Sequence, residues 1–329
     1  MADAERLVVA LDDGYAGYDQ ERSLLAAAGA RFELRPCRGS EAAAVVAARD
    51  ADLLMVRESP VTRRVLQAAP DCRAVVRYGI GVDNVDQAAA TERRVMVANV
   101  PDYGTDEVAT QAVALALAAV RRLRLHDAEV RAGRWSTGVL QPMHRLRGGT
   151  LGLVGYGRIA RMTQAMLAGF GFARVLAHDP LADLPSGVVA ADVDTICREA
   201  DLISLHAPLT PATRHLIDVR RLALMRPTAV LVNTARGGLV DLDALHAALA
   251  AGRLAWTCSI RSRPTPPIPS SPSTTWSSPI TSDGIPRSRC ATCSAWPPRR
   301  RPACCAAKLR ATGSTAGDAF PEPDCMRKP

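Results

Sequence analysis

The chain changes character at residue 256, and that break limits how much of it can build one ordinary globular fold. Residues 1–255 contain no Lys, 30 Arg and 29 Asp plus Glu, so they are nearly neutral. Residues 256–329 hold 9 Arg, 2 Lys and 4 acids, with 13 of the 23 Pro, 6 of the 9 Cys and 3 of the 4 Trp. The formal net charge of +8 thus belongs almost entirely to the last segment. An argument from overall basicity to a nucleic-acid or lipid partner would be an argument about that segment alone, and Arg299-Arg-Arg301 stands there without a recognition motif. Pro spacing of this density breaks helices and strands, so the segment is expected to be aberrant or disordered.

Before the break, short runs of β-formers alternate with longer helical stretches. The strand candidates are Leu7–Leu11, Arg31–Arg35, Leu53–Val56, Ala74–Arg77 and Val95–Ala98, with helical patterns near Tyr18–Ala28, Glu41–Ala48, Thr62–Ala69 and Val85–Ala90. This alternation predicts a mostly parallel sheet over residues 1–101. A long helix over Thr105–Leu123 follows, capped by Thr105 or Asp102, with Asp106 and Glu107 at its positive end. Its middle is small and apolar nearly all round, which suits burial between domains or subunits. Asp127–Gly133 continues the helical pattern, and Trp135 to Arg147 reads as a loop or arm. No run of 18 apolar residues exists, and the N-terminus lacks the apolar core of a signal peptide, so a cytoplasmic location is expected. Cys37, Cys72 and Cys197 read as buried free thiols, and Cys290-x-x-Cys293 lacks a framework that would hold zinc, so no metal is expected.

A second unit begins at Thr150. The strand Thr150–Val154 runs into Gly155-Tyr-Gly-Arg-Ile-Ala160, then a helix, then the strand Arg174–Ala177 ending in His178-Asp179-Pro180. A lone glycine motif carries little weight; one set between strand and helix, with an acid closing the next strand, reads as a dinucleotide site. Gly155 permits the tight turn. Gly157 lets the backbone approach a pyrophosphate, whose charge the free N–H groups of the helix start would meet. Arg158 lies within reach of the same group, Tyr156 and Ile159 complete the turn, and Ala160 suffices for close helix–strand packing. Asp179 is placed to accept ribose hydroxyls and to repel a 2′-phosphate, which favours NAD over NADP. Strands Leu202–Leu205 and Ala229–Val232 and the helix Leu242–Ala250, capped by Asp241, complete a doubly wound unit.

Five motifs together resemble the D-isomer-specific 2-hydroxyacid dehydrogenases: Arg77-Tyr-Gly-Ile-Gly-Val-Asp-Asn-Val-Asp86, Asn99-Val-Pro-Asp-Tyr-Gly-Thr-Asp-Glu-Val-Ala109, Leu151-Gly-Leu-Val-Gly-Tyr-Gly-Arg-Ile159, Leu205-His-Ala-Pro-Leu-Thr210 and Val232-Asn-Thr-Ala-Arg-Gly-Gly-Leu-Val-Asp241. The branch it most resembles contains phosphoglycerate dehydrogenase and the C-terminal-binding-protein corepressors. The resemblance implies two Rossmann-like domains: a flavodoxin-like substrate domain over 1–101 and an NAD-binding domain over 102–255 that includes the linking helix. It implies hydride transfer between NAD(H) and a 2-hydroxy or 2-keto acid, with an NAD(H)-sensing binding protein or a non-functional product as the alternatives. The loop Tyr78, Gly79, Ile80 and Gly81 would present N–H groups to the substrate carboxylate, as glycines after a strand can. Arg236 would grip the carboxylate and the carbonyl oxygen. His206, Ala207, Pro208 and Thr213 would line the nicotinamide side, together with Thr234 and Ala235; His206 is not expected to be the acid. Asp83 is expected to cap the next helix. Arg57, Glu58 and Arg77 near the cleft point to a polar or acidic substrate side group. A homodimer through the helix 105–123 and the arm after it is also implied.

The resemblance stops where the composition changes. The family's Glu, from a Leu-Asp-Val-Phe-x-x-Glu-Pro segment, and its general-acid His are both missing. Codons compatible with Trp256–Pro264, regrouped by one nucleotide, spell Leu-Asp-Val-Phe-Asp-Pro-Glu-Pro-Pro, with the Glu straddling Arg261 and Ser262. Compatible codons from Pro279 can likewise be regrouped to His-His-Leu-Gly-Trp-Tyr, and those of Ser288–Cys293 to Pro-Leu-Arg-Asp-Leu. A frameshift near residue 255 accounts for all three. It would remove the next sheet strand as well as the acid pair, so the chain is expected to fold poorly or to bind NAD weakly.

Overall fold

The computed structural model describes residues 5–135 and 143–251, together with the backbone of two further strands, 256–260 and 275–278. The first unit is a five-stranded sheet of β1 (Arg6–Ala10), β2 (Ala30–Leu34), β3 (Leu53–Val56), β4 (Ala74–Arg77) and β5 (Met96–Asn99), in the order β2-β1-β3-β4-β5. All its pairings are parallel. The connecting helices are α1 (Asp19–Ala27), α2 (Glu41–Ala47), α3 (Arg63–Ala68) and α4 (Gln87–Glu92). This is the flavodoxin-like order, whose switch point lies between β1 and β3. Its larger core joins Val9, Leu54, Val56 and Val75 of the strands to Ala44, Val65, Leu66 and Ala89 of the helices.

The second unit is built on β6 (Thr150–Val154), β7 (Arg174–His178), β8 (Val188–Ala190), β9 (Leu202–Leu205), β10 (Val230–Asn233), β11 (Trp256–Ile260) and β12 (Thr275–Ser278). Their order is β12-β11-β10-β9-β6-β7-β8, again parallel throughout. Helices α7 (Arg158–Leu167), α8 (Val193–Glu199), α9 (Val219–Leu224) and α10 (Leu242–Ala250) join the strands. β6, β9 and β10 are buried along their whole length, which fits the continuous apolar runs of a sheet covered on both faces. Asp241 caps α10 through the Asp243 and Ala244 N–H groups, as its sequence position predicts.

Three expectations change. The linking helix, α5 (Thr105–Val120), begins after Gly104 with no side-chain cap, so neither Thr105 nor Asp102 fills that role. Its buried stripe, Ala112, Leu115, Ala116 and Ala119, packs on Leu151, Leu153, Val230 and Val232 of its own domain. The small apolar face is therefore a core face, while Leu123, Val130 and Trp135 on and after α6 (Leu123–Arg131) stay exposed. Third, the sheet does not stop at β10: Val230 pairs with Trp256 and Asn233 with Ser259, and β12 then pairs with β11. Aromatic, β-branched and small residues at 256–260 suit a strand whatever reading frame produced them. The remainder of 256–329 lies outside the described residues, as do the Cys pairs considered for zinc. Cys37, Cys72 and Cys197 are buried free thiols, and burial pushes Cys37 and Cys197 up to about 11. Among the described residues no helix is long and apolar enough to cross a membrane, and no group of His, Cys, Asp or Glu is placed to hold a metal.

Candidate active site

The glycine turn after β6 sits where the strand order reverses, with β7 on one side of β6 and β9 on the other. Gly155 adopts φ +85°, and a Cβ there would stand 2.6 Å from Ala207 N and 2.7 Å from His206 C. Those neighbours are backbone and cannot move aside, so the turn docks against the end of β9 only as glycine. Gly157 differs: a Cβ on it would meet nothing within 4 Å. The fold leaves space there at the free N–H end of α7, the place a pyrophosphate would occupy.

Asp179 fixes the turn. Its carboxylate accepts the Tyr156 N–H at 2.7 Å and the Leu181 and Ala182 N–H groups at 2.9 and 3.1 Å. Burial works to raise its pKa, but the three backbone donors outweigh it and hold the carboxyl below its ordinary value. The Tyr156 ring is core, with its hydroxyl 2.5 Å from Gln164 Oε1. Arg158 is exposed at the start of α7, and Ile159 is partly buried beside it.

The loop after β9 carries His206, Ala207, Pro208 and Thr213. His206 Nε2 lies 2.9 Å from Ser204 Oγ, and burial pushes the imidazole down to about 4, so it is neutral near pH 7. It is therefore not an acid for neutral solution. Ala207 is buried and Pro208 exposed. The Thr213 hydroxyl donates to Pro208 O at 2.6 Å and accepts from Thr210 N at 2.8 Å, so it shapes this loop. After β10, Ala235 N donates to Asn233 Oδ1 at 3.1 Å. Thr234 is buried, and among the described residues its Oγ1 has no hydrogen-bond partner. A buried hydroxyl left in that state costs about 1–3 kcal/mol unless a ligand satisfies it.

The substrate-side loop leaves β4. Tyr78 N donates to Val56 O at 2.7 Å and Gly79 N to Arg77 O at 2.9 Å, so both donors are already used. The Tyr78 hydroxyl turns into its own domain, toward Glu21 Oε1 at 3.2 Å. Among the described residues the N–H groups of Ile80 and Gly81 carry no hydrogen bond, and the anion nest expected from the four residues narrows to these two. Arg236, from the turn after β10, reaches this loop across the cleft. Its Nε donates to Asp83 Oδ1 at 2.7 Å and its Nη1 to Ala235 O at 2.9 Å. Asp83 is therefore not a helix cap; Asp86 caps α4 through the Ala89 N–H at 2.8 Å. Arg77 donates to Arg57 O at 3.2 Å, and burial, followed by the charge of Arg236, disfavours its positive form.

Sequence reasoning missed Asp12. At the end of β1 its carboxylate accepts N–H from Arg57, Glu58 and Ser59 and the Ser59 hydroxyl, at 2.6 to 3.3 Å. This fixes the loop that aims Arg57 at the Tyr15 ring, 5.4 Å away. Only its place at a strand end, at the switch point of the first sheet, could have signalled it.

A glycine turn leading to an uncrowded helix end at the point where a parallel sheet reverses its strand order is the arrangement of a dinucleotide-binding fold, and the comparisons place it among dehydrogenases. The family pattern described as D-isomer specific 2-hydroxyacid dehydrogenase, NAD binding domain, matches residues 113–271. The D-3-phosphoglycerate dehydrogenase of Mycobacterium leprae is 40% identical over 240 residues, which is 71% of this chain and 45% of that protein. The hydroxypyruvate reductase of Thermotoga maritima is 36% identical over 209 residues, 62% of this chain and 67% of that protein. A crystal structure of D-lactate dehydrogenase from Aquifex aeolicus with NAD and lactic acid is 25% identical, covers 78% of this chain and 77% of its own, and superposes with a TM-score of 0.70. The chain belongs to the D-isomer-specific 2-hydroxyacid dehydrogenase family, and its second domain is an NAD(H)-binding domain. It spans less than half the length of the phosphoglycerate dehydrogenases it matches. The open space at Gly157 and the unsatisfied Thr234 hydroxyl are features of this fold that a bound dinucleotide would fill.

Proposed function

We propose that this protein is an NAD(H)-dependent oxidoreductase acting between a 2-hydroxy acid and its 2-keto acid, of the phosphoglycerate dehydrogenase and corepressor-like branch, and impaired by a frameshift near residue 255. The observation that carries the reading is Arg236, from the nucleotide-binding domain, held at the Gly81 loop of the first domain. Gly157, Asp179, Thr234 and the 206–208 loop would hold the dinucleotide, which when bound supplies or accepts the hydride. Arg236 would hold the substrate carboxylate and stabilise charge on the carbonyl oxygen, with Ile80 and Gly81 N–H groups sharing the carboxylate. Arg57 and Arg77 favour a substrate with a polar or acidic side group.

The proton is the weak point. The His206 imidazole is held neutral and stays so until well below pH 7. His215, whose imidazole is 3.9 Å from the Asp241 carboxylate, is too far from it for a hydrogen bond. Without a positioned acid, turnover should fall by roughly 10²–10⁴-fold. NADH-dependent reduction of 2-keto acids by this chain and by a frame-restored version tests this. Near-equal turnover in the two would refute the impairment, and absence of turnover and NADH binding in both would refute the enzyme reading. A corepressor-like sensor is favoured instead if the restored chain binds NADH and a peptide without turnover. The exposed Leu123, Val130 and Trp135 support a homodimer formed through α6 and the arm rather than through the buried face of α5.

A further inference from the structure

Arg236 projects from a turn of the nucleotide-binding domain, whereas Asp83 follows the glycine loop of the first domain. Their hydrogen bond joins residues 153 positions apart and crosses the cleft. The Asp83 oxygen takes Nε, and Nη1 reaches back to the arginine's own turn at Ala235 O. Nη2 lies over Gly81: a Cβ there would stand 1.9 Å from Arg236 Nη2 and 2.9 Å from Asp83 Oδ1. The contact therefore runs across the face of Gly81, which has no side chain to obstruct it. Asp83 also lies in the field of a second guanidinium, since its charge favours the positive form of Arg77 while Arg236 disfavours it. Two cations facing one small cleft repel each other, and a carboxylate near both offsets that repulsion.

We infer that Asp83 is the positioning residue for Arg236: it holds the guanidinium by Nε so that Nη2 faces the Gly81 loop, and it does so only when the two domains stand this close. The idea rests on the reading of Arg236 as the carboxylate-gripping group. An arginine free to rotate would lose orientational entropy on gripping a substrate; one already held by Nε loses less. Because the partners come from different domains, closing the cleft and arming the arginine become one event. Asp83 itself does not contact substrate. The bond is partly exposed, with side-chain exposures of 29% for Arg236 and 34% for Asp83, so the effect is moderate.

The test uses D83A, D83N, R236Q and the double variant D83A/R236Q in the full chain. Oxamate, a 2-keto acid isostere, is titrated against the NADH complex, and hydrogen exchange is followed at residues 79–84 without ligand. D83A should weaken oxamate about tenfold, with NADH affinity within about twofold. D83N should recover most of the loss, because its amide oxygen still accepts from Nε. The double variant should be no weaker than R236Q. Oxamate binding by D83A within about twofold of the parent, or effects of the two substitutions that multiply, would overturn the proposal. If the parent binds NADH but no oxamate, the carboxylate-gripping role of Arg236 fails, and hydrogen exchange still judges the clasp. D83A and R236Q should each speed exchange at 79–84, and the double variant no further. Unchanged exchange in R236Q alone overturns the clasp, and that measurement stands even if D83A does not fold.

Discussion

The two glycine turns, one in each domain, are alike in sequence and different in what requires them. In Gly155-Tyr156-Gly157 the first glycine is required by the protein's own backbone, which crowds it at 2.6 Å, while the second faces open space. In Gly79-Ile80-Gly81 the last glycine is crowded by a side chain, Arg236, from the other domain. One turn is fixed by its own domain and, on the proposed function, would be completed by a cofactor; the other is completed by a residue that belongs to its partner domain. A glycine in a motif can thus answer to backbone, ligand or side chain, and each answer fails differently when a methyl group is added.

Gly155→Ala should do the most damage. Left-handed backbone strain together with a clash against immovable backbone should cost about 4 kcal/mol, lowering Tm by about 10 °C in a thermal melt. A Tm within about 2 °C of the parent would break the distinction between the two glycines of that turn. His206, whose carbonyl carbon is part of the obstruction, sharpens the same point through pH. Its pKa falls from 6.5 to about 4 on folding, so between those values the unfolded chain binds more protons than the folded one. Stability should therefore be full above pH 6.5 and decline as the pH falls toward 4, by about 3 kcal/mol in all. Urea unfolding at pH 7, 5.5 and 4 measures this, and H206Q should flatten the part of the profile that His206 causes.

Gly157→Ala should leave Tm within about 2 °C, because the added methyl meets nothing, and weaken NADH about 30-fold, because it occupies space a phosphate needs. Unaltered NADH affinity in a fluorescence titration would remove the ligand as the reason for that glycine. Gly81→Ala is the mildest. The atoms in its way are the ends of flexible side chains, so the fold should hold, while a displaced Arg236 should bind a 2-keto acid about fivefold less tightly with NADH binding unchanged. A loss of NADH affinity equal to the loss of oxamate affinity would mean the two turns are not separable.

Much of this was legible in the chain itself. The strands 53–56, 74–77, 150–154 and 202–205 and the helix 242–250 fall where the pattern puts them, because buried parallel strands read as unbroken β-formers and α10 carries its own cap and stop. The short elements β8, α8 and α9 escaped notice, since three to seven residues give too little periodicity to register. The strand at 256–260 escaped for a different reason: composition argued against order there, while local β-propensity and an open edge on β10 favoured pairing.

Sequence alone determined the parallel α/β layers, the glycine turn after β6 with the acid that follows β7, and the arginine turn after β10, because each rests on local patterns of apolar runs, glycines and caps within a few residues. Tertiary structure alone decided that Asp83 answers to Arg236 rather than to the next helix, that Tyr78 and Gly79 have no donor left to offer, and that Gly157 faces space while Gly155 faces backbone. Those facts depend on groups far apart in the chain meeting at distances of a few ångströms, and no local pattern encodes such a meeting.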